Sequence, residues 1–239
     1  MESRQKMSEE QAILRPGRPK DTTKCEEIVA AATELFMQNG YELTSMEAVA
    51  REAGVSKLTI YSHFADKKEL FRAIIQQRCD RLGLPESFIA EAQLPVEQSL
   101  FEIATYASGV MFRPDSIRLM RIVQAEAGRH PEMVQVYYEV GPRRLKTAFA
   151  DLLRDFDRQG QLSIADPVRA TEQFFSLLKG EKLMRMLMLL APAPDSEELA
   201  AHVRATVNFF LAAYRPQKNG PQEDHPQEKS SQDNEGQKK

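Results

Sequence analysis

Tryptophan is absent from the chain, and cysteine occurs only twice in 239 residues, at Cys25 and Cys79. Two thiols cannot frame a disulfide-stapled fold, and a chain of this length can bury a sizeable core without one, so reduced thiols in a cytoplasmic setting are expected. Neither sign of charge is in excess, with 32 Lys and Arg against 35 Asp and Glu. That balance excludes a general attraction to polyanions, and any binding of nucleic acid must come from local placement of charge. Long hydrophobic runs are missing too. The most apolar stretch, residues 183–191, is broken by Arg185 and falls short of the ~20 residues that cross a bilayer, so no membrane span is expected. No basic-then-apolar leader opens the sequence, and none is expected.

Alternating strand patterns are also lacking, and what fills the chain is helical periodicity, which predicts an all-α fold. Ile28, Ala32, Leu35 and Phe36 share one helical face, and Gly40 follows as a stop. Thr44 with Glu47 reads as a capping box for a short helix, Ser56 as the cap of another, and Asp66 with Glu69 as the box of a longer one. Helical segments are then expected near 96–111, 116–128 and 132–140, with Pro114 and Pro131 as punctuation. Two stronger helices follow at 143–159 and 167–190, and an amphipathic one runs from Leu199 to Tyr214. This divides the chain into a basic arm (1–22), a DNA-binding domain (23–82), a helical sensing and dimerisation domain (83–214) and a tail (215–239). The tail has no aliphatic or aromatic side chain, so burial cannot offset its ordering entropy and disorder is expected.

Residues 44–64, TSMEAVAREAGVSKLTIYSHF, carry two short helices around a glycine turn, the requirement of a helix-turn-helix. Val49, Ala50, Ala53, Val55, Ile60 and Phe64 form the inward set, which leaves Ser56, Lys57, Thr59, Tyr61 and His63 outward. The run from Thr44 through Ala53-Gly54-Val55-Ser56, Thr59-Ile60-Tyr61 and His63-Phe64 to Lys67 and Glu69-Leu70 closely resembles the DNA-binding domain of the TetR family. The resemblance implies that Thr44 and Ser45 bind phosphate, that Lys57 and Thr59 lie toward base edges, that Tyr61 and His63 reach phosphates, and that Lys67 adds a phosphate contact. Leu58 departs from the glycine common in relatives, so base preference is not inherited. Arg18 and Lys20, beside Arg15, form a basic arm that either reaches DNA or is a solvated tail. Tyr61, likewise, is a candidate for core packing as well as for phosphate.

The segments QAEAGRHPE (124–132) and YYEVGP (137–142) are similar to the family's AefR-like group, whose members often regulate efflux or membrane-associated functions. The resemblance implies a homodimer that binds double-stranded operator DNA and is released by a lipophilic or amphipathic small molecule. Tyr106, Phe112, Met120, Gln124, Met133 and Tyr137 are candidates for an effector cavity, because Met and aromatics line adaptable apolar sites; an ordinary closed core is the alternative for each. The four histidines lack partners at zinc-like spacing, so no metal or cofactor is assigned. Glu126 and Glu139 read as surface or interhelix partners. No nucleophile elbow, phosphate loop or carboxylate pair points to an enzyme. The competing reading is an all-α protein-interaction module or an unrecognised enzyme whose helix-turn-helix is merely structural.

Overall fold

The computed structural model describes residues 20–82 and 94–216. Arg15, Arg18 and residues 217–239 lie outside them; Lys20 opens the first helix. The described residues form α1 (Lys20–Asn39), α2 (Met46–Glu52), α3 (Lys57–His63), α4 (Lys67–Leu82), α5 (Val96–Met111), α6 (Pro114–Glu126), α7 (Pro131–Tyr138), α8 (Arg144–Arg158), α9 (Pro167–Leu187) and α10 (Ser196–Tyr214). No strand occurs among them. The all-α expectation therefore holds, with an N-terminal helix-turn-helix ahead of a helical C-terminal part. Pro114 and Pro131 open α6 and α7 at their first positions rather than separating them, where a missing N–H costs nothing. Pro142 is absorbed in a five-residue π turn, Glu139–Arg143, joining α7 to α8.

Two large hydrophobic cores and a smaller cluster around Phe112 result. One holds Ile28, Ala32, Phe36, Val49, Ile60, Phe64, Leu70, Phe71 and Ile75 of α1–α4 and continues without a break into Leu119, Val123, Met133 and Val136 of α6 and α7. The other is built from α5, α8, α9 and α10 around Phe149, Phe156, Phe174 and Phe210. The apolar stripe of α8 is consumed inside this second core, since Phe149, Leu152, Leu153 and Phe156 are all buried. Its remaining face is mostly charged, with Leu145 and Ala148 partly exposed.

The helix expected at 167–190 has a break that its pattern does not announce. Gly180 has φ 53° and ψ −172°, outside helical values. The kink breaks the local ladder, and the carbonyl of Leu178 takes a hydrogen bond from His202 Nε2 of α10 at 2.9 Å instead. A Cβ at Gly180 would also approach the His202 ring at 3.2 Å, so both backbone angle and space call for glycine. Past the kink, Met184 and Met188 point to solvent, while Leu183 and Met186 pack on Phe112 and Ile117.

Candidate functional site

The helix-turn-helix is assembled by local hydrogen bonds that its sequence encodes. Ser45, not Thr44, caps α2, its hydroxyl accepting from Ala48 N–H at 3.1 Å. Gly54 turns the chain at φ 65°, and Val55 N–H bonds back to Ala50 carbonyl at 2.9 Å. Ser56 caps α3 by accepting from Thr59 N–H at 3.0 Å, and its hydroxyl shares a 2.8 Å hydrogen bond with that of Thr59. Ile60 and Phe64 are buried in the core that α3 shares with α1, α2 and α4. Each such side chain contributes about 1.5–3 kcal/mol by leaving water.

With its inner face anchored, α3 presents Lys57, Leu58 and Tyr61 to solvent, with Thr59 and His63 partly exposed. Leu58 is 83% exposed and no core packing accounts for it. Lys57 lies over the Tyr61 ring, 5.8 Å from its centroid, and pairs with Glu47 of α2 at 2.6 Å. That hydrogen bond raises the Lys57 pKa and lowers that of Glu47. DNA phosphates would compete with Glu47 for the ammonium.

Two members of the expected DNA set face elsewhere. Thr44 is 1% exposed, and its hydroxyl lies 2.8 Å from Gly40 carbonyl and 3.2 Å from Leu35 carbonyl. It braces the α1–α2 loop from inside, and Ser45 is the residue left at the surface. The Lys67 ammonium turns back to donate to the carbonyls of Tyr41 at 2.8 Å and Glu42 at 3.3 Å, 4.4 Å from the Tyr41 ring centroid. Partial burial lowers its pKa. Lys67→Ala should therefore cost about 1–2 kcal/mol of stability by removing these charge-assisted bonds. Thermal unfolding should fall by about 2–8 °C, while the salt dependence of DNA binding should stay unchanged. An altered salt slope without a fall in melting temperature would restore Lys67 to the phosphate set.

Behind α4 lies a cavity of about 350 Å³, within the range of small-molecule sites, roughly 300–1,000 Å³. Met120, Gln124 and Tyr137 line it, as expected from the sequence. Three other candidates do not. Met133 is fully buried in the core beneath α1–α4, and Phe112 packs on Leu183 and Met186. Tyr106 is exposed and donates its hydroxyl to Leu82 carbonyl. Sequence reasoning missed Ile75 and Cys79 of α4 and Lys179 of α9, which complete the wall; the 3.6-residue spacing would place them only once the neighbouring helices were known. Burial raises the Tyr137 and Cys79 pKa values, so the thiol is a poor nucleophile. Burial, then the charge of Lys146, lowers that of Lys179 at the rim.

Comparison with known proteins follows the same division. Residues 28–74 match "Bacterial regulatory proteins, tetR family", and residues 98–216 match "AefR-like transcriptional repressor, C-terminal domain". The chain is 30% identical over 144 residues to the HTH-type transcriptional regulator YhgD of Bacillus subtilis, covering 59% of this chain and 72% of that protein. A solved structure from Mesorhizobium loti, described as a TetR-family transcriptional regulator, superposes with TM-score 0.74 at 28% identity, over 83% of this chain and 100% of that one. The flavonoid-responsive regulator FrrA superposes with TM-score 0.67 at 29% identity, over 82% and 99%.

Proposed function

The chain belongs to the tetR family of bacterial regulatory proteins, transcriptional regulators that bind DNA and are not enzymes, and from that premise we propose a homodimeric repressor released by an amphipathic small molecule. The match of its C-terminal half to a repressor domain supports the sign of regulation. In this reading Ser45, Tyr61 and His63 hold phosphates, while Lys57, Leu58 and Thr59 meet base edges from α3 in the major groove. Residues 23–82 act as the DNA-binding unit and 83–214 as the sensing and dimerising unit.

The observation that carries the sensing role is that α4 is shared. Ile75 lies in the core under the recognition helix and also in the cavity wall. A ligand wedged against Ile75 and Cys79 therefore displaces α4, which shares one core with α1, α2 and α3. Coupling requires only that the ligand fit one of two arrangements better. The lining is mostly apolar, with Arg78, Ser116, Gln124, Tyr137 and Tyr138 as polar groups and a basic rim of Arg144, Lys146 and Lys179. Arg78 is held by Asp115 and Ser116, each at 2.9 Å, which leaves Lys179 and Gln124 to receive a polar end. An amphipathic molecule with an acidic or phenolic end fits, and the flavonoid response named for FrrA supports that class.

Fluorescence anisotropy of operator-bound protein, titrated with medium-chain fatty acids and flavonoids, tests the proposal. A hit should weaken operator binding by about 5–150-fold, the usual span of such coupling. Gln124→Ala and Tyr137→Phe should shrink that response and leave ligand-free DNA affinity unchanged. Lys179→Met should do so for anionic compounds only. If no compound of either class shifts operator affinity, the sensor reading fails and DNA binding stands.

A further inference from the structure

Three side chains that sequence spacing keeps apart meet where the DNA-binding helices rest on α6 and α7. Glu42 follows α1 in the loop that leads to the helix-turn-helix, Glu126 ends α6, and His130 precedes α7. Their nearest ligand atoms all lie within 4.8 Å of one another. Glu126 is 8% exposed. Its Oε1 accepts from the Glu42 N–H at 3.3 Å, but its buried Oε2 has no hydrogen-bond partner among the described residues. An unsatisfied carboxylate oxygen in such a place is costly unless something positive completes it.

We propose that Glu42, Glu126 and His130 form a binding site for a divalent transition cation of the zinc type, which clamps the helix-turn-helix to α6 and α7. The imidazole is already oriented for the task. His130 Nδ1 faces Glu132 at 3.2 Å, and Nε2 faces Glu42. A carboxylate behind Nδ1 holds the proton there and directs the Nε2 lone pair outward, the arrangement that supports a metal-bound histidine. The cation would replace the proton between Nε2 and Glu42 and draw in the orphaned Glu126 oxygen. Ligand atoms on zinc sit roughly 3.3 Å apart for bonds of about 2.0–2.1 Å, so a small closure is needed, and exposed Glu42 can supply it.

Charge points the same way. Three carboxylates, Glu42, Glu126 and Glu132, share this cluster with His130 and Lys67, with Arg129 and Lys68 also acting on it. The Lys67 protons go to the carbonyls of Tyr41 and Glu42, so a bound cation would be the direct counter-charge of the carboxylates. One imidazole with two carboxylates suits zinc-class ions and not magnesium, which prefers all-oxygen surroundings.

The test uses the full-length, tag-free chain stripped with chelator and then given zinc chloride or magnesium chloride. Native mass spectrometry should show one zinc per chain. At about a hundredfold excess over the dissociation constant, thermal unfolding should rise by roughly 5–10 °C, and magnesium should have no such effect. His130→Gln, Glu126→Gln and Glu42→Gln should each lose the bound zinc and the shift. Because Glu42 is exposed in a loop, its variant keeps the test valid if the buried Glu126 variant fails to fold. Absence of bound zinc in the wild type, zinc retained by Glu42→Gln and His130→Gln, or an equal response to magnesium would overturn the proposal.

Discussion

Glutamate at both Phe209 and Met184 should convert the protein to a monomer at micromolar concentration and weaken operator binding by about 10²–10⁴-fold, the gain that linking two binding modules typically supplies. Phe209 on α10 is 64% exposed and Met184 on α9 is 54% exposed, with Met188, Leu189 and Leu190 also at the surface. A group of large apolar side chains left in water on two successive helices is the surface the proposed dimer would cover, and a two-fold pairing matches a near-palindromic site. Helix α8 spends its apolar face internally, and Leu187 is partly buried against the Phe112 cluster, so Leu187→Glu should lower stability before it separates subunits. Sedimentation with anisotropy on the same samples checks this. A double variant that stays dimeric would move the interface elsewhere.

The second large effect is expected at Leu58. An isobutyl group this exposed on the outer face of α3 is suited to meet a thymine methyl in the major groove. Removing such an apolar pairing is comparable to a mismatch, about 1–3 kcal/mol. Because a dimer carries two copies, Leu58→Gly should lower affinity for the cognate site by about 10²-fold or more and flatten preference at one base pair of each half-site. No charge changes, so the salt slope should remain. Lys57→Ala, at another base-facing position, should likewise flatten preference, but at a different base pair of the half-site. If Leu58→Gly weakens all DNA sequences equally, its side chain supports the fold of α3 and reads no base.

The helix-turn-helix was legible because its determinants are local. The Ser56 cap, a glycine in the left-handed region and the Ile60 and Phe64 spacing act within a few residues, and the structure uses all of them, whereas the α2 cap falls on Ser45, one residue past the Thr44 expected. Roles that depend on distant packing were not legible. Thr44 and Lys67 stand at positions that suggest DNA binding, yet each finds carbonyl oxygens near the end of α1. Met133 and Phe112 have the chemistry of a cavity lining, but helix rotation sends one under α4 and the other toward Leu183. Gly180 sits in a sequence with good helical pattern, and only His202 on α10 explains the break. Glu42 lies 84 residues from Glu126 and 88 from His130, a separation that no spacing rule for metal ligands spans.

Selection of bound fragments from a random duplex pool by the full-length protein, followed by sequencing, tests most directly whether a dimer reads DNA through α3. One near-palindromic motif should be enriched, with half-sites one helical turn, about 10–10.5 base pairs, or a multiple of it apart. Leu58→Gly should degrade that motif, and the Phe209 and Met184 double variant should recover at most a single half-site. A pool that stays random at every salt concentration, or a motif unaffected by either substitution, would contradict a dimer reading DNA through α3.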